Sequence, residues 1–108
     1  MNDISRSKTL PLLYENYGTL DSFSGYRAKE LVPKIKSIID WLNIQPEITQ
    51  INDSIKLSFY LGNDTCLWAY FSTEGIDCFY AVDEVVVKNI KMKSGQEFIN
   101  FFYEVSRK

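Results

Sequence analysis

The sequence predicts an α+β fold: a single domain spanning residues 1–108, with an N-terminal helix, an antiparallel sheet of four to five strands and a C-terminal helix. Three observations carry this. Residues 55–82 alternate apolar and polar side chains between short Gly-containing turns, the pattern of an antiparallel meander. Residues 28–42 place apolar side chains at three- and four-residue steps, the pattern of an amphipathic helix. Ser94-Gly95-Gln96-Glu97 is a capping box in front of a second apolar stripe.

Taken in order, residues 1–24 carry an apolar patch, Leu10-Pro11-Leu12-Leu13-Tyr14, and then Tyr17, Gly18, Leu20 and Phe23. Pro11 and Gly18 argue against one long helix. The expectation is an extended arm or short turns that pack Leu12, Leu13 and Tyr14 on the body, with the first eight residues mobile. The first helix takes its stripe from Ala28, Leu31, Val32, Ile35, Ile38, Ile39 and Leu42, with Trp41 off its centre. Pro33 costs little within a first turn but removes a hydrogen bond in a helix interior. The helix therefore either begins near Glu30, or has an earlier turn from Arg27 that is kinked at Pro33. Asn43 and Pro46 end it.

Ile48–Ile51 reads as a short strand and Asn52-Asp53 as a turn. Three strands follow around turns at Gly62-Asn63-Asp64 and Thr73-Glu74-Gly75. In the register set by the first turn, Ile55, Leu57 and Phe59 face Phe71, Ala69 and Leu67 as one buried face. Lys56, Ser58, Tyr60, Cys66, Trp68, Tyr70 and Ser72 lie on the other. Asp83-Glu84 breaks the run, and Val85-Val86-Val87 with Ile90 and Met92 forms a further strand, placed at an edge by its lysines. The last helix runs from Gly95 to about Ser106 on Phe98, Phe101 or Phe102, and Val105.

With 108 residues, 45% hydrophobic and 24% charged, the chain matches an ordinary globular protein. No apolar run approaches the roughly 20 residues of a membrane span, and the N-terminus lacks the pattern of a signal peptide. A cytoplasmic protein with no membrane association is the expectation. Cys66 and Cys78 fall on neighbouring strands with an offset on the order of 10 Å, too far to bridge, so both are expected as free thiols.

The charge is unevenly spread. Residues 1–52 are balanced, residues 53–84 carry a net −5 and residues 85–108 a net +3. An acidic sheet repels phosphate and suits a basic partner surface. The alternative is that turn acids are simply solvated and keep sheet edges from pairing.

Much chemistry is excluded. The chain has no histidine, so no Ser-His-Asp or Cys-His arrangement exists within it. Two cysteines are too few for a structural zinc site. Phosphate-loop, dinucleotide and calcium-loop patterns are absent. No cofactor, metal or catalytic residue is therefore predicted. The adjacent Asp83-Glu84 reads as a solvated turn rather than a catalytic pair, and the cysteines as packing residues.

The aromatic group is the best functional feature. Seven of the sixteen aromatics fall between residues 55 and 82. Tyr60, Trp68 and Tyr70 share a sheet face, which Phe79 can join, and aromatics anchor interfaces. The opposing reading puts one helix over each face of the sheet, which makes these residues core. Nucleobase stacking is disfavoured because the same segment is acidic, although Lys88, Lys91 and Lys93 could line an adjacent strand.

The helix from Tyr26 to Leu42, Pro46-Glu47-Ile48, Leu57-Ser58-Phe59-Tyr60 and Glu74-Gly75-Ile76 together resemble a pattern in small uncharacterised bacterial and phage proteins. The resemblance covers Tyr26 to Val82, implies an α+β meander and implies no activity. Pro33 and the long C-terminal helix depart from it.

The functional expectation is a non-enzymatic protein-binding module, an inhibitor or accessory factor such as an antitoxin-like or phage anti-defence protein. It would act by steric occlusion of a basic partner surface through Tyr60, Trp68, Tyr70, Phe79, Asp77, Asp83 and Glu84. Homodimerisation through the same face is a variant. The competing class is a small-ligand or nucleotide-binding domain in which Tyr60, Trp68 and Tyr70 line a pocket under the first helix.

Overall fold

The computed structural model describes residues 15–17 and 25–106. The element order is β1 (Glu15–Tyr17), α1 (Tyr26–Leu42), β2 (Glu47–Ile51), β3 (Ser54–Gly62), β4 (Thr65–Ser72), β5 (Gly75–Val82), β6 (Val85–Met92) and α2 (Gly95–Ser106). β2–β6 form the expected antiparallel meander, five strands joined by two-residue turns. The three-residue β1 extends it by pairing Glu15 with Ile51 and Tyr17 with Thr49. The packing expected of Leu12, Leu13 and Tyr14, and the mobility expected of the first eight residues, lie outside the described residues.

Two of the four hairpin turns have positive φ at both central residues, as the tightest hairpin geometry requires. Asn63 and Asp64 have φ of 53° and 60°, and Asp83 and Glu84 have φ of 52° and 69°. Asn and Asp adopt this left-handed conformation readily, whereas Glu84 does so at a cost. These two turns lie at the same end of the sheet, and the Asp83 amide donates to the Asp64 carbonyl at 2.9 Å. Beside each turn one strand holds an extra residue, Leu61 in β3 and Val87 in β6. Such bulges increase the local twist.

Local signals account for the helix ends. Asn43 stops α1 in the left-handed conformation, with its amide donating to the Ile39 carbonyl at 2.9 Å. In α2 the Glu97 amide donates to Ser94 Oγ at 3.1 Å, and Glu97 Oε1 accepts from the amides of Lys93 and Ser94 at 3.0 and 3.1 Å. Those two amides hold the Glu97 carboxyl below the usual carboxylate range. α1 begins at Tyr26, so of the two readings of Pro33 the later start near Glu30 is excluded. Lys29 and Pro33 are both exposed, which puts the carbonyl left without an amide partner on the solvent side.

Both helices pack on the same face of the sheet, and this overturns the reading that places one on each side. A single core cluster joins Leu31, Ile35 and Ile38 of α1 and Phe98 and Phe102 of α2 to the inner face of the sheet. That face is made by Ile48, then Ile55, Leu57 and Phe59, then Leu67, Ala69 and Phe71, then Ile76 and Cys78. Phe98 lies 6.0 Å from Phe59 and 5.6 Å from Phe71 between ring centroids, and Phe102 lies 5.0 Å from Phe59. The physical reason is that the sheet offers one apolar face, and both amphipathic stripes must bury against it. Gly95 lets the helices approach, since a Cβ there would stand 3.1 Å from Ile38 Cδ1.

Candidate functional site

Period-two alternation sends the remaining side chains of the meander to the opposite face, over which neither described helix packs. The pairings set the group directly. Trp68 stands opposite Ser58 on β3 and Phe79 on β5, Tyr70 opposite Lys56 and Asp77, and Tyr60 opposite Cys66. Tyr60 is 66% exposed, while Trp68, Tyr70 and Phe79 are half-buried. Tyr70 and Phe79 meet edge to face, with centroids 5.7 Å apart. The structure therefore brings together Tyr60, Trp68, Tyr70, Phe79 and Asp77.

Lys56 was not singled out by sequence, yet it sits at the centre. Its Nζ lies 5.6 Å from the Trp68 ring centroid and 5.5 Å from that of Tyr70. An ammonium held over two rings fixes their orientation as well as its own. Around this centre, the Tyr60 hydroxyl donates to Glu47 Oε1 at 3.3 Å. Asp77 accepts from Asn89 Nδ2 at 2.8 Å and from Lys91 Nζ at 3.5 Å. The alternation in β3 was enough to put Lys56 on this face. The partners of Asp77 needed the β5–β6 register, which the extra residue Val87 obscures in the sequence.

The charge reading is refined by this placement. Of the six acids of residues 53–84, Asp77 alone lies on the face, where Lys91 balances it. Asp64, Asp83 and Glu84 occupy the turns at one end of the strands, and Asp53 and Glu74 those at the other. The middle of the face is thus aromatic and close to neutral, and its two ends are acidic. The β6 lysines do not form a common groove. Lys91 points to the open face, whereas Lys88 lies under α2, 3.4 Å from Glu104 and over the Phe101 ring.

A cleft of about 700 Å³ opens on this face at the acidic turn end, between Tyr60, Cys66 and Trp68 and the turn residues Asp64, Asp83 and Glu84. A pocket beneath α1, expected for the ligand-binding alternative, does not include Tyr60, Trp68 or Tyr70, because α1 packs on the opposite face. The two thiols also separate by face. Cys66 borders the cleft, whereas Cys78 is buried opposite Ala69 in the core. Burial, and secondly the Asp77 charge, push the Cys78 thiol up to about 12. Both cysteines are free, as the offset between their strands requires.

Among the described residues no group of three acidic or cysteine side chains is placed to hold a metal ion. No helix among them is long and apolar enough to cross a membrane. Comparison of the chain with models of known protein families, with curated proteins and with solved structures gives no match.

Proposed function

We propose that this chain is a non-enzymatic protein-binding module that docks a partner on the open face of its sheet and acts by covering the partner's surface, as an inhibitor or accessory factor. An antitoxin-like or phage anti-defence protein is the kind of factor this describes. The observation that carries the reading is the contiguous group Tyr60, Trp68, Tyr70 and Phe79 on a face over which neither described helix packs. Rings held in place by neighbouring strands lose little entropy on binding, which is why they serve as interface anchors. β3–β6, about 4.8 Å apart and roughly 26 Å long, with the shorter β1 and β2 beside them, present an area on the order of 600 Å², close to one side of a standard interface. The acidic turns at both ends favour a partner with a basic rim and disfavour a phosphate backbone.

The test is the double substitution Trp68→Ala and Tyr70→Ala. Neither residue belongs to the core cluster, so the variant should fold while partner capture falls by at least about a hundredfold. Unchanged affinity for the partner that the wild-type chain retrieves from a host lysate would count against the proposal. The cleft supports a second reading, a small ligand seated between Tyr60 and Trp68. A thermal-shift screen with metabolites and oligonucleotides separates the two, since only the second expects stabilisation.

A further inference from the structure

The cleft at the turn end differs chemically from the rest of the open face, and we infer that it is the seat of an arginine side chain supplied by the partner. This rests on the docking reading above and names the group that anchors it. Three features of the cleft converge on a planar cation. Tyr60 and Trp68 are among its lining residues, and aromatic ring faces carry negative potential. Its rim carries Asp64, Asp83 and Glu84, all exposed. The two ion pairs that described residues form with each other, Lys88–Glu104 and Lys91–Asp77, include none of these three.

The face already shows this recognition once. Lys56 lies over Trp68 and Tyr70 at 5.6 and 5.5 Å, an ammonium seated on the same ring system by the chain itself. In the register of β4, Tyr70 is on one side of Trp68 and Cys66, which borders the cleft, is on the other. The second seat is therefore on the side of Trp68 away from Tyr70. It is also nearer the carboxylates, because the hydrogen bond from the Asp83 amide to the Asp64 carbonyl ties the two turns together there.

Guanidinium fits this arrangement better than ammonium. It can stack flat on an indole or phenol ring while its in-plane N–H groups reach carboxylates at the rim. A volume of about 700 Å³ accommodates it together with the flanking backbone of the segment that carries it.

The experiment uses the full chain with Trp41→Phe, which leaves Trp68 as its one indole. Trp41 is 66% exposed on α1, away from the cleft. N-acetyl-arginine methylamide, and its uncharged citrulline counterpart, are titrated against Trp68 fluorescence. The expected result is a saturable change with a millimolar dissociation constant for the arginine compound, at least about tenfold weaker for citrulline. Asp64→Asn, Asp83→Asn and Glu84→Gln together should reduce arginine to the citrulline level. Asn keeps the left-handed turn geometry, and an unchanged amide NMR spectrum away from the turns verifies the fold.

Equal binding of the two compounds, no saturable change with either, or a preference that survives the triple substitution would overturn the inference. Partner capture separates it from the reading beneath it. A triple variant that holds the partner as tightly as wild type, alongside a Trp68→Ala/Tyr70→Ala variant that does not, refutes the arginine seat alone. Retention by the Trp68→Ala/Tyr70→Ala variant removes the docking face itself.

Discussion

Changing Gly75 to Ala should unfold this protein far more readily than its position at a strand end suggests. Gly75 opens β5 opposite Ser72, with φ of 147°, a conformation L side chains rarely adopt. An ideal Cβ there would lie 2.7 Å from the Met92 carbonyl oxygen. An ordinary carbon–oxygen contact is about 3.3 Å, so roughly 0.6 Å must be found. The obstacle is backbone, and it belongs to a buried residue in the last pair of the β5–β6 ladder. It cannot swing aside as a side-chain tip would.

The overlap costs about 2 kcal/mol and the backbone strain about as much again, while a stiffer unfolded chain returns less than about 1. A net loss of about 3 kcal/mol follows, a large share of the roughly 5–15 kcal/mol of a domain this size, and it lowers Tm by about 12–20 °C. Gly62→Ala is the control. Its φ is 86° with no atom within 4 Å of the new Cβ, so it should lose about 1 kcal/mol from strain alone. Urea unfolding followed by far-ultraviolet circular dichroism measures both. Equal losses, or a loss below about 1 kcal/mol at Gly75, would refute the view that this close approach fixes the end of the β5–β6 ladder. That ladder is what sets Asp77 against Lys91 and Phe79 against Asn89.

Other expectations test the cap and the thiols. Ser94→Ala should cost about 1 kcal/mol in the same unfolding assay, because the Glu97 amide loses its acceptor. Glu97 should titrate by NMR below the ordinary glutamate value, since the amides of Lys93 and Ser94 favour its ionised form. The stability it contributes is complete above the ordinary glutamate pKa and is lost as pH falls through the lowered value, a dependence that Glu97→Gln should abolish. At pH 8 a thiol reagent should label Cys66 rapidly and Cys78 only on unfolding. Burial keeps Cys78 both inaccessible and protonated, so similar labelling rates would contradict its place in the core.

Much of this architecture was legible in the residues, for definite reasons. Alternation in β3 and β4 identified Ile55, Leu57 and Phe59 against Phe71, Ala69 and Leu67, and those are the observed pairs. Ser94 and Glu97 announced α2, because a capping box is satisfied within four residues. The bulges at Leu61 and Val87 were not legible, since each extra residue is placed by the twist of paired strands. Lys56 over Trp68 and Tyr70 was half legible: the face followed from alternation, the stacking only from two strands side by side.

Local, short-range chemistry in the sequence determined the helices, the turns and the sharing out of side chains between two faces. Which of the faces the two described helices cover was decided by the tertiary structure alone. Two apolar helix stripes and one apolar sheet face leave a single way to bury all three, and both helices take it. The aromatic group of Tyr60, Trp68, Tyr70 and Phe79 lies on the side they leave, a consequence of long-range packing that no stretch of the chain encodes by itself.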